Sequence, residues 1–132
     1  MRVGANDYDF LICPVRNLTP EQKEQIGKRV SDLEDRGTQI YWPPRDTNQD
    51  DPIGLRICQD NRSAIANAKK IRVFWDPSSQ GSLFDLGMAF GMGKEIILEN
   101  PESVQPTPQK SFNNVLLALN NQNAAKIAAL TL

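Results

Sequence analysis

"WDPSSQGSLFDLGMAFGMGKEIIL", residues 75–98, carries the reading of the fold. It opens on Trp75-Asp76 at a strand end and turns through Pro77, Ser78, Ser79 and Gly81. A helical run follows, and a new strand begins at Lys94. A strand–turn–helix–strand unit of this kind belongs to a parallel α/β sheet. Within the otherwise apolar helix stands one carboxylate, Asp85. Ser82 as N-cap with Asp85 at N3 makes a capping box, and a carboxylate in the first turn suits the helix dipole. The same geometry, beside a rim loop, would hold Asp85 ionised through nearby N–H groups and ready to act as a nucleophile. The two readings are compatible.

The alternation extends along the chain in both directions. "YDFLICPV" (8–15) reads as a buried strand stopped by Pro14. Thr19 as N-cap, Pro20 at N1 and Gln22 at N3 open a helix with an Ile26, Val30, Leu33 stripe, and Gly37 ends it. "TQIYW" (38–42) is a second strand and "PPRDTNQDDP" (43–52) a loop. A helix restarting at Asp51-Pro52 runs to about Ala68, "KIRVFW" (70–75) is the third strand, and "KEIILE" (94–99) the fourth. A Pro-containing connection leads to a terminal helix beginning at "SFNNVLLAL" (111–119). Strands apolar on both sides, joined by helix-length crossovers, require helices on both faces of the sheet. The expectation is a single α/β domain over 1–132, with its core in 8–120 and a C-terminal tail at 121–132, built on a mostly parallel sheet of four or five strands. Ligands of such sheets sit beyond the carboxyl ends of the strands. Residues 13–18, 43–52 and 76–82 should therefore gather at one rim.

Composition narrows the chemistry. The chain has 132 residues and is 39% apolar, enough for one core. A formal charge of -1 argues against a nucleic-acid surface. No apolar run reaches membrane-span length, and "MRVGANDYDF" lacks the apolar core of a signal peptide. Cys13 and Cys58 form no CxxC pair and read as buried thiols of a reduced, cytoplasmic protein. Histidine is absent, which removes Ser-His-Asp and Cys-His catalysis and the usual zinc sites. Carboxylates, hydroxyls, Lys and Arg remain.

Asp60 is the second carboxylate of interest. Ile53, Ile57, Ala64 and Ala68 define an inward stripe, and spacings of three and four place Asp60 with it. There it either bonds a backbone or hydroxyl group or faces a ligand cavity; its neighbour Asn61 shares the boundary. Arg16 follows the first strand and Arg45 lies in the second rim loop. Each alone reads as a surface residue. Together, near the Pro77–Gly81 turn ahead of a helix, they suit a phosphate site, and the Pro-Ser-Ser stretch reads equally well as a turn alone. "GMGK" (91–94) lacks P-loop spacing and reads as a helix stop.

"FLICPVR", "QDNRSAIANAKKIRVFW" and "SSQGSLFDLGMAFGMGKEIIL" together resemble the nucleoside 2-deoxyribosyltransferase-like family, which includes nucleoside 5′-monophosphate N-glycosidases. The last segment is similar to the family's D/S-x-G-T-x-x-E-x-G-x-A-x-x-x-G-K-P pattern through Ser79, Gly81, Ser82, Asp85, Gly87, Ala89, Gly93 and Lys94. The resemblance implies a flavodoxin-like three-layer sandwich and no metal or organic cofactor. It puts Asp85 in the nucleophile's place and Asp60 in that of the residue handling the base and leaving group. Ser79 and Arg16 fall where the hydrolases bind phosphate, which tilts the substrate from free nucleoside toward nucleoside monophosphate. Phe10 stands where a Tyr is common, and Cys13-Pro14 replaces a Gly-containing turn. Asp85 is one methylene shorter than the family's Glu. A homodimer or higher oligomer is also implied, with Asn113 or Asn114 reaching a neighbour's pocket. The expected function is cleavage or transfer of an N-glycosidic bond through a covalent glycosyl-enzyme. The rivals are a non-catalytic nucleotide-binding module, favoured by the Glu-to-Asp and Tyr-to-Phe differences, and a plain flavodoxin-like interaction domain.

Overall fold

Local punctuation sets most element ends. Thr19 accepts from Gln22 N while the Gln22 side chain accepts from Thr19 N, so the expected capping box starts helix α1, Pro20–Asp35. Gly37, at φ 91°, takes the left-handed conformation just past its end. The computed structural model describes residues 7–131, with side chains through residue 122. The remaining elements are β1 (Asp9–Ile12), β2 (Ile40–Tyr41), α2 (Pro43–Asp46), α3 (Leu55–Asn67), β3 (Lys70–Val73), α4 (Gln80–Gly91), β4 (Ile96–Leu98), a 3₁₀ turn (Pro101–Ser103) and α5 (Phe112–Thr131).

The described strands form one parallel sheet of four, in the order β2-β1-β3-β4. Alternation along β1 divides the core. Leu11 and Cys13 pack with Ile26, Val30 and Leu33 of α1 on one face. Tyr8, Phe10 and Ile12 pack on the other with Ile65 of α3, Leu86 and Ala89 of α4, and Leu116 of α5. This is the flavodoxin-like layering expected from the sequence. Among the described residues no helix is long and apolar enough to cross a membrane.

Three boundaries differ from expectation, each for a local reason. The 43–52 loop contains α2, because Pro43 and Pro44 fit the first helical positions and Asp46 Oδ2 accepts from Trp42 N. Helix α3 starts at Leu55, not Pro52. Gly54 at φ 93° turns the chain, and Asp51 accepts from Ile53 N and Ile57 N. Helix α4 starts earlier than expected: Ser79, not Ser82, is its N-cap, accepting from Ser82 N at 3.2 Å. Asp76 prepares that start by accepting from both Ser78 N and Ser78 Oγ.

One charged arrangement has no local signature in the sequence. Arg72 of β3 bonds Asp9 of β1 through Nε at 2.8 Å and Glu99 through a terminal nitrogen at 2.7 Å. Glu99, its side chain only 2% exposed, also takes Arg29 Nε of α1 at 2.6 Å. These bonds tie β1, β3, the end of β4 and α1 together. Burial works against the Arg72 charge, yet its two carboxylate partners keep the guanidinium's pKa raised.

Candidate functional site

The sheet order reverses between β1 and β3, whose registered ends pair Ile12 with Val73. The chain leaves the two strands in opposite directions there, which opens a crevice at their carboxyl ends. The crevice is a cleft of about 570 Å³. Its walls come from three places: residues 13–17 after β1, Pro43, Gln49 and the start of α3, and Asp76, Ser78–Gly81, Phe84 and Asp85 after β3. The three expected rim loops thus meet. Asn17, at φ 57°, makes the sharp turn behind Arg16.

Asp85 lies in the second turn of α4, half-buried in the cleft wall near Cys13. Among the described residues it has no hydrogen-bond or ion-pair partner. Burial raises its pKa from 3.8 to about 7. The expectation that the helix start would hold it ionised is therefore corrected: with Ser79 as the cap, Asp85 sits one turn too far along for the free N–H groups to reach it. The Cys13 thiol is pushed up to about 12, chiefly by burial, with the Trp42 N–H acting against the shift and the Asp85 charge adding to it. It stays protonated and is no nucleophile.

Arg16, Ser79 and Gly81 also line the cleft, as expected. Arg16 is exposed and has no carboxylate partner among the described residues. Ser79 exchanges a hydrogen bond with Ser82 Oγ at 2.9 Å. Ser82 itself is buried beneath the helix start and does not reach the cleft.

The other expected site residues lie elsewhere. Asp60 is on the solvent side of α3, its side chain 47% exposed and paired with Arg56 at 2.5 Å. The difference is one of register. Ile53 belongs to an inward stripe only if it is helical, and it instead precedes the helix and is 88% exposed. Without it, Ile57, Ala64, Ile65 and Ala68 put Asn61 inward, and Asn61 is the residue in the cleft wall. Arg45 is held by Glu34, Asp46 and the Ile40 carbonyl and lies over Trp42, so it braces β2 against α1. Phe10 is wholly buried, stacked on Tyr41 with ring centres 5.4 Å apart. Asn114 accepts from Thr107 N and donates to the Thr107 and Gln109 carbonyls, while Asn113 accepts from Trp75 Nε1 and donates to Gln105 O. Both fold the 105–111 connection onto α5.

The sequence reading left open which of Asp60 and Asn61 faces inward, and it missed the facing of both cysteines onto one cleft. Asn61 Oδ1 accepts from Thr47 Oγ1 at 2.8 Å, and Thr47 Oγ1 lies 2.7 Å from Tyr41 Oη. Either hydroxyl can donate in the Tyr41–Thr47 contact, and Tyr41 Oη also donates to the Asp46 carbonyl at 3.3 Å. Burial raises the Tyr41 pKa and keeps the phenol protonated.

No protein-family model and no curated protein sequence matches the chain. Solved structures do. A 2-deoxyribosyltransferase of the psychrotolerant bacterium Bacillus psychrosaccharolyticus superposes with a TM-score of 0.59 at 18% identity, over 69% of this chain and 70% of that one. The CMP N-glycosidase BcmB of Clostridium botulinum superposes with a TM-score of 0.53 at 25% identity, over 69% of this chain and 66% of that one. The fold is the one these proteins share, and they are of the family that the sequence resembles.

Proposed function

We propose that the chain cleaves or transfers the N-glycosidic bond of a nucleoside or nucleoside monophosphate, with Asp85 as the attacking carboxylate. The observation that carries this reading is the unpaired, half-buried Asp85 in a switch-point cleft that also presents Arg16 and the start of α4. The similarity to a CMP N-glycosidase supports it. Asp85, once ionised, attacks C1′ and the base departs; water or a second base then attacks C1′ and frees the carboxylate. The expected pairing of two carboxylates is not part of this account, because Asp60 lies outside the cleft.

Arg16 and the α4 start, with Ser79 and Gly81, suit a 5′-phosphate. Arg16→Ala is expected to raise KM for a nucleoside monophosphate about 10- to 100-fold, equivalent to one charge-assisted bond. KM for the free nucleoside should stay unchanged; steady-state kinetics on both checks this. The exposed apolar flank of α4, with Leu83, Phe84 and Phe90, suits a second copy of the chain. The direct test of function is release of free base from a panel of (deoxy)nucleosides and their monophosphates. Binding without release would favour the second reading, a nucleotide-binding module, which the position of Asp60 outside the cleft supports.

A further inference from the structure

Asn61 is 7% exposed, lines the cleft and has a fixed orientation. Its Oδ1 is held on the inner side by Thr47, itself buried and outside the cleft wall. The opposite end of the carboxamide, Nδ2, has no acceptor among the described residues. That donor opens onto the cleft, where a bound acceptor can take it in place of water.

We propose that Asn61 Nδ2 is the group that meets the departing base, donating a hydrogen bond to an acceptor beside the glycosidic nitrogen. The proposal rests on the glycosidic-bond reading above. A carboxamide donates a hydrogen bond but gives up no proton at ordinary pH, unlike the carboxylic acid expected at Asp60. The base therefore leaves as an anion. An Asp85 oxygen bonds C1′, the C1′–N bond breaks, and its electron pair passes to the base. That charge is shared with the ring carbonyl held by Asn61, and the base then takes a proton from water. Water next attacks C1′, the ester C1′–O bond breaks, and the water's proton returns to solvent. Bases whose anions are stable without protonation are favoured: pyrimidines with carbonyls at both C2 and C4, ahead of purines.

The test compares the full-length chain with Asn61→Leu and Asn61→Asp on uracil, 5-fluorouracil and purine (deoxy)nucleoside monophosphates. The wild type should release 5-fluorouracil faster than uracil, and either faster than a purine. Asn61→Leu should lose about 10- to 100-fold in kcat/KM, as expected for a lost bond to a charged group. Asn61→Asp should regain purine cleavage and flatten the dependence on the base. A side chain with a merely structural role would shift neither the base ranking nor its slope. An unchanged ranking in both variants, or a wild type preferring purines, overturns the proposal. If no substrate releases base, the glycosidic reading fails, and the side-chain amide resonance of Asn61, identified by its loss in Asn61→Leu, still tests the contact. A downfield shift on saturating uridine monophosphate supports the contact, and no shift with any nucleotide overturns it.

Discussion

Asp85→Asn is expected to abolish base release, by about 10³-fold or more, and at the same time to stabilise the fold above neutral pH. The first effect follows from loss of the attacking carboxylate, the second from its raised pKa. The folded carboxyl titrates near 7, against an ordinary value of 3.8. Below about 4 the group is protonated whether the chain is folded or not, and it leaves stability unaffected. Between about 4 and 7 the unfolded chain ionises it while the folded one retains the proton, so stability falls as pH rises. Above 7 the fold carries the whole penalty. For a carboxyl raised from 3.8 to about 7 that is about 4 kcal/mol at most, and less where cleft water screens the charge. Asparagine removes the ionisation. The variant's melting temperature should exceed that of the wild type at pH 8 and match it near pH 4. The wild-type kcat/KM should rise through about pH 7 to a plateau, because only the ionised form attacks. Thermal melts at both pH values and a pH–rate profile check these expectations. A variant less stable at pH 8, or an activity that falls as pH rises through 7, would contradict them.

Arg72→Met should produce the largest loss of stability from a single change outside the cleft. It leaves Asp9 and Glu99 buried without their common cation, and breaking such a pair from one side costs about 3–5 kcal/mol. Small domains are stable by only about 5–15 kcal/mol, so the variant should sit near the edge of folding. Arg29 still reaches Glu99, which places Asp9 as the more exposed partner to the loss. None of the four residues lines the cleft, so catalysis per folded molecule should be unchanged. Urea denaturation with activity measured alongside decides it. A loss below about 1 kcal/mol would mean that the network sets specificity of packing and contributes little stability.

Where local chemistry decides structure, the sequence was legible. Thr19, Pro20 and Gln22 settle the start of α1 among themselves, and the alternation of elements places the three rim loops. Nested signals were harder. Ser79-x-x-Ser82 and Ser82-x-x-Asp85 both look like caps, and only the turn made by Asp76 selects the first. Asp60 and Asn61 differ by one residue of helical register, which hangs on whether Ile53 is helical. Arg45 was out of reach for a different reason: its partner Glu34 is on another helix, and local spacing does not reveal such a pair. The same holds for the Arg72 network, whose members span Asp9 to Glu99.

The most direct test is to trap the sugar on the protein. A 2′-fluoro-substituted nucleoside monophosphate slows cleavage of the glycosyl ester because the electron-poor sugar resists the positive charge of the transition state. Intact-mass and peptide analysis should find one sugar phosphate per chain, on the peptide holding Asp85, with an equal amount of base released. Base release with no adduct, or an adduct on any other side chain, would contradict the account.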